Sequence, residues 1–600
     1  MVLKGFVFNH FLNGTMVIFV ERYNMDVTKS YNNRTSWINA ENIIVGGINL
    51  YWLVGLHIAW NNSGGWGIDL PYNLIAWGGI CTLCTLFWAI TTPRKVVLGT
   101  TGRLLIIGTV LLCLPVLWSP SVVAIDNALP RLGGMWAGCL FWFTLRQCSF
   151  NQRQCLWLMY GLVIAGVIEA GIVFIELNGP AEWLPSIWQT LIKSNGRGAV
   201  GVFQQVNVTA SFLVTSLAVV LLLITMRKAI LSHTKLERIR LCCLVFSGIF
   251  ICAITTALYS RTGWIAEVIV VTGLFWLLNL NGFRHEGRSQ PLLLIVPATG
   301  IFVGLYLMPL SVHQALQAHD GSTHQRALTI YYTIKFITLH PLLGYGAGTF
   351  EGAYQHFLAL LPGGNPGREM MAHPHNEILY QYAEGGIVAL AGIVIWSAGL
   401  FRLWKKSHSV LSCGALICML PILIHSQLEY PLYYSVPHYL VLLILLRLAE
   451  DSETNEEVDS KPENIHRGFI IYRLVMCIVF LYGSIVSLQS YRVWATLELF
   501  ERSMLTHPEH ITEIPIPWVM RLHYKQDRAL LRLFVFNQKK DPSLLRKFTE
   551  ENAMLISVHS WPVLYQNQIS VLRFLNDDEG VKFWEDRERN TFPWLHKSTN

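Results

Sequence analysis

Charge is what this chain has least of. Of its 600 residues, 14% are charged and 52% hydrophobic, and mean hydropathy is +0.41. A soluble domain carries about 25% charged residues, so a soluble globular fold is excluded. The apolar residues run in blocks of about 18–25, the length that crosses a bilayer. The net charge of +7 then reflects membrane topology, not nucleic-acid binding.

Other absences narrow the function. The twelve cysteines lie almost entirely in or beside apolar blocks, as Cys81, Cys84, Cys113, Cys252 and Cys477 do, and the large polar loop and the tail have none. No disulfide framework or thiolate metal site is implied, and the Cys81-x-x-Cys84 spacing reads as packing. The loops predicted to be external lack a D-x-D pair or a dense carboxylate group, which Mg²⁺ or Mn²⁺ would need. No metal and no cofactor is therefore expected, although His373, His375 and Glu377 sit close enough in sequence to be considered. Ionisable residues near the middle of spans and internal repeats are both scarce, which argues against a transporter or flippase. Phe11–Val20 is apolar but short and no small-residue cleavage site follows, so no cleaved signal peptide is read. Met25 offers an alternative start.

What is present is an all-α polytopic pattern. About thirteen spans are expected, near 42–60, 71–91, 101–118, 132–148, 155–176, 207–226, 241–259, 263–280, 291–309, 378–401, 411–427, 435–448 and 468–490. If each crosses once, Arg94, Lys95, Arg103, Arg227, Lys228, Lys235, Arg238, Arg240, Arg284, Arg288, Arg402, Lys405 and Lys406 share one side, which is cytoplasmic by the positive-inside rule. The expected order is an unclear segment 1–41, a first membrane bundle 42–309, a large periplasmic loop 310–377, further spans 378–448, a flexible acidic cytoplasmic linker 449–467, a last span 468–490 and a periplasmic helical tail 491–600. In the tail Pro508 and Pro542 lie 34 apart, a hint of tetratricopeptide-like hairpins.

Polar residues gather on the external side. His373-Pro374-His375-Asn376-Glu377 precedes a long apolar run; Pro374 resists helix and Asn376 is a good N-cap, so a helix starts there. Gln204-Gln205-Val206-Asn207 opens another span, where amides either cap a helix or contact a ligand. Arg261 sits in the tight turn Ser260-Arg261-Thr262-Gly263, either snorkelling to lipid or holding an anionic headgroup. The large loop carries Arg326, then Tyr331, Tyr332 and Lys335, then His340-Pro-Leu-Leu-Gly-Tyr-Gly-Ala-Gly-Thr-Phe350, whose glycines allow a close approach to a ligand or to another segment. A last turn reads His425-Ser-Gln-Leu-Glu429-Tyr430-Pro431.

Arg326, the His340 glycine segment, and His375-Asn376-Glu377 running into Glu384-Gly385-Gly386 resemble the O-antigen ligase and polymerase (WaaL/Wzy) superfamily. Gln205-x-Asn207, the His425–Pro431 turn and the polar tail look most like its PglL-type bacterial protein O-oligosaccharyltransferases, the pilin-glycosylating ligases. The resemblance covers residues 195–435 well and the remainder in layout only. It implies a GT-C-like membrane fold in the bacterial inner membrane, facing the periplasm. It also implies transfer of a glycan from undecaprenyl pyrophosphate to a protein hydroxyl, with a pilin the expected acceptor. On that resemblance His375 is the essential histidine, Arg261 and Arg326 bind pyrophosphate, and Gln205 and Tyr430 matter in the protein-glycosylating branch. Asn207, Asn376, Glu377, Glu429 and His340 are expected to bind or orient substrate. Transfer to lipid A core, or polymerisation of a polysaccharide, is the alternative within the superfamily.

Overall fold

A computed structural model describes residues 39–58, 67, 70–92, 96–195, 199–280, 290–307, 320–450, 465–503, 511 and 515–596. Most of the 1–41 segment, Arg94, Lys95, Arg284, Arg288, most of the acidic linker and Pro508 lie outside the described residues. No strand occurs among the described residues.

The first part of the chain forms α1 (Ala40–Leu53), α2 (Pro71–Ile90), α3 (Gly99–Cys113), α4 (Val122–Gln147), α5 (Gln152–Asn178), α6 (Ser186–Asn195), α7 (Val206–Thr225), α8 (Thr234–Ala257), α9 (Arg261–Asn279) and α10 (Leu292–Leu307). The expected external loop holds α11 (Asp320–Leu339) and α12 (Phe350–Ala359). Then come α13 (Glu377–Lys406), α14 (Val410–Cys418), α15 (Leu420–His425), α16 (Val436–Ala449) and α17 (Ile465–Arg502). The tail is α18 (Arg521–Lys539), α19 (Pro542–Ile556), α20 (Pro562–Phe574) and α21 (Asp578–Thr591). Among the described residues, eight helices are long and apolar enough to cross a membrane, and three shorter apolar ones accompany them. This is a multi-pass α-helical membrane protein.

Each expected span contains a helix, with informative differences. The fourth starts at Val122 and continues through Pro130; membrane helices tolerate such a proline because neighbours satisfy the freed carbonyl. The last runs from Ile465 to Arg502. At 1.5 Å per residue that is about 57 Å, well beyond a ~30 Å hydrocarbon core. Glu450, assigned to the flexible linker, is instead fully buried against Arg146 at 3.4 Å, because a charge drawn into this bundle needs a partner.

The bundle is organised around α7, every residue of which is buried. A helix apolar all round belongs at the centre, and α5, α8, α9, α14 and α15 pack on it. Some of its hydroxyls bond its own backbone, as Thr215 does to the Ser211 carbonyl at 2.8 Å, while Ser216 donates across to the Leu162 carbonyl of α5 at 3.2 Å. Elsewhere α2 lies along α17 and α3 along α13. Tail residues such as Phe548 and Tyr565 share one apolar cluster with Val123 and Ala124 of α4.

The glycine segment of the loop is a docking device for α13. Gly386 breaks that helix with φ +57° and ψ −151°. Into the break the loop inserts its backbone: Tyr345 N–H donates to the Ala383 carbonyl at 3.0 Å and Gly346 N–H to the Glu384 carbonyl at 2.8 Å. A Cβ on Gly386 would lie 2.3 Å from the Leu342 carbonyl oxygen, and one on Gly344 2.6 Å from that of Ala383. The glycines therefore serve approach to another segment.

Candidate active site

The start of α13 forms as the sequence predicts. Asn376 caps it, accepting from the Leu379 N–H at 3.0 Å. The preceding residue holds the surprise: His375 has φ +56°, a left-handed conformation rare outside glycine. Two hydrogen bonds hold the turn. The His375 N–H donates to His373 Nδ1 at 3.0 Å, and the Glu377 N–H donates to the Ser426 carbonyl at 3.0 Å. His373 thus acts on the backbone that carries His375. Since its Nδ1 accepts, its proton belongs on Nε2, 3.6 Å from Glu377.

Glu429 is the hub beside His375. Its carboxylate pairs with Arg326 at 2.5 Å and accepts from Asn207 at 2.6 Å, Gln205 at 3.1 Å and His425 Nε2 at 3.1 Å. Burial alone would raise its pKa, but His425, Arg326 and His375 outweigh it and hold the carboxyl at about 2. Gln205 does double duty: its carbonyl caps α7 through the Val208 N–H at 2.6 Å. Ser260, the N-cap of α9, donates to Asn207 at 2.8 Å, and this fixes the turn that carries half-buried Arg261 one residue on.

His375 is mostly buried, and burial lowers its pKa to about 4 despite the opposing charge of Glu429. One ring nitrogen faces the Leu428 carbonyl, while Nδ1 has no hydrogen-bond partner. The ring is therefore neutral with a free lone pair on Nδ1. The Tyr430 ring stands 5.9 Å from it.

Five of the ten expected residues, Gln205, Asn207, Arg326, Glu429 and His375, thus meet in one network, and Asn376, Tyr430 and Arg261 stand at its edge. Two do not join it. His340 is exposed at the end of α11, its ring edge-on to Tyr345 at 4.5 Å. Glu377 turns to the opposite face, accepting from Tyr433 and from Gln381 at 2.8 Å.

That opposite face lines a cavity of about 960 Å³, and here the sequence reading missed a residue. Arg131 of α4 pairs with Glu384 and stacks over Tyr380, 4.7 Å from its centroid. Its Nε and Nη1 have no partner. An arginine beside a proline inside an apolar block was the available signal. Six carboxylates and this one guanidinium line the cavity, with α4, α13, the end of α17 and the tail as its walls. His425, at the head of its turn, links Glu429 to Ser211, with Nδ1 at 2.8 Å from the serine hydroxyl.

Two family models match the chain. The one described as O-antigen ligase covers residues 207–394, and the one described as virulence factor membrane-bound polymerase, C-terminal, covers residues 414–600. Each model covers about a third of the chain, so the chain is similar over these two stretches to an O-antigen ligase and to the C-terminal part of a membrane-bound polymerase. A comparison with curated proteins finds no match. The two matches support a membrane-bound glycosyl-transferring or polymerising function. Asn207, Arg326 and His375 come from the O-antigen ligase region and His425, Glu429 and Tyr430 from the polymerase region, so the network joins the two.

Proposed function

We propose that this protein transfers an oligosaccharide from undecaprenyl pyrophosphate to serine or threonine hydroxyls of a protein such as a pilin, at the periplasmic face of a bacterial inner membrane. The observation that carries the reading is the free Nδ1 of His375 beside the Arg326–Glu429 pair. A hydroxyl is a poor nucleophile near neutral pH, and a neutral imidazole in reach takes its proton as attack begins. The acceptor oxygen bonds to the anomeric carbon, the bond from that carbon to the phosphate oxygen breaks, and the proton passes to His375. Direct displacement inverts the anomeric centre. The leaving lipid pyrophosphate needs charge stabilisation more than protonation, and Arg326 and Arg261 supply it. Glu429 keeps Arg326 in place until the donor arrives, while Gln205, Asn207 and Tyr430 frame the acceptor. The reaction as proposed uses no metal and no cofactor.

A protein acceptor is favoured over lipid A core by the polar helical tail, which packs on the membrane bundle and offers a surface for docking a polypeptide. The test is co-expression with a candidate pilin and a lipid-linked glycan locus. Glycan on the pilin, lost in His375→Ala with protein level unchanged, supports the reading; glycan on lipid A with bare pilin overturns it.

A further inference from the structure

We propose that Glu501, His523 and Asp527 form a divalent-cation site that fastens the end of α17 to α18. His523 and Asp527 are four apart on α18 and so share a face; Glu501 is the penultimate residue of α17. One ligand atom from each lies within 4.8 Å of the others, and His523 Nε2 stands 2.7 Å from Glu501. Among the described residues no other group of three such side chains is assembled this way.

A second observation asks for a ligand. Asp527 is only 3% exposed, yet its Oδ2 has no hydrogen-bond donor. A buried carboxylate oxygen left in that condition is costly. The basic side chains around it are engaged elsewhere: Lys525 holds Asp126 at 2.5 Å, and Arg528 and Arg532 hold Glu551 at 3.1 and 2.6 Å. A dication among these three ligands would give Asp527 Oδ2 the partner it lacks.

One imidazole and two carboxylates suit Zn²⁺ or Mn²⁺, and three protein ligands leave a coordination position open. Glu501 and His523 line the 960 Å³ cavity, so the open position faces it. His375 does not line that cavity, and the site needs nothing from the chemistry proposed at His375. Its consequence is mechanical: the tail is pinned to the membrane bundle.

The untagged full-length chain in detergent, stripped with EDTA and dialysed, tests this with Zn²⁺ alone as probe. Elemental analysis should find one more bound equivalent per chain in the wild type and in His375→Ala than in His523→Asn/Asp527→Asn. Zn²⁺ should also raise the unfolding midpoint of the wild type and not that of the double variant. Glu501→Gln, at an exposed position, repeats the readout if the double variant does not fold. Equal Zn²⁺ in wild type and variants, or a wild-type midpoint that Zn²⁺ leaves unmoved, overturns the proposal.

Discussion

At the residue scale, the proposed chemistry rests on one imidazole, that of His375, held in an unfavourable backbone conformation. His375→Ala should lower transfer by about 10²–10⁴-fold, the range of a positioned general base, measured as glycan on acceptor at matched protein level. The pH profile carries the sign. Burial holds His375 near 4, below an ordinary imidazole near 6.5, so the base form persists as pH falls from 7 toward 5. Activity should stay flat over that window; a fall centred near 6.5 would contradict the buried, neutral ring. Glu429 supports a linked stability prediction. Its folded pKa of about 2 lies below the ~4.3 of an unfolded glutamate. Its contribution is therefore complete above about pH 4.3 and lost as pH falls through 2. Glu429→Gln should flatten that part of the unfolding midpoint's pH dependence, and also cost activity by freeing Arg326. Asn376 was legible because capping is local. The left-handed φ of His375 was not, since its turn is also held by the Glu377 N–H bonding to the Ser426 carbonyl, about fifty residues away in the chain.

At the element scale, the break in α13 is the feature that sets the site. Gly386 and Gly344 interlock loop and helix with no room for a methyl group, and both have positive φ. Gly386→Ala should destabilise by about 1–3 kcal/mol from the backbone conformation alone, with the clash adding to it. A variant with wild-type thermal unfolding in detergent would show that the interlock is not required. The helices themselves were readable from hydropathy, because block length and apolar content are properties of single segments. What was not readable was which helix sits at the centre. α5 and α17 carry stretches nearly as apolar as α7, but among the described spans only α7 is buried on all sides.

At the scale of the whole molecule, membrane bundle and tail are one folded unit from Ala40 to Asn600. Glu351 of α12 accepts from His559 Nδ1 at 2.8 Å and the Ser560 N–H at 3.1 Å. Asp126 of α4 receives Lys525. Truncation after Arg502 would strip both buried carboxylates of partners and expose the apolar start of α4. The truncated chain should give low yield or aggregate on size-exclusion chromatography; a monodisperse product with the wild-type midpoint would contradict this dependence. The sequence pattern showed a polar helical tail and a site-bearing loop as separate stretches. Their junction, and with it the large cavity and Arg131, arises only from long-range packing that no local signal encodes.

The most direct test of the central claim is the acceptor assay in cells that supply a lipid-linked glycan and a pilin, comparing wild type with His375→Ala, Arg326→Ala and Arg261→Ala. The account predicts a glycosylated pilin in the wild type alone, with all four proteins at equal level. A pilin still glycosylated by His375→Ala would contradict it.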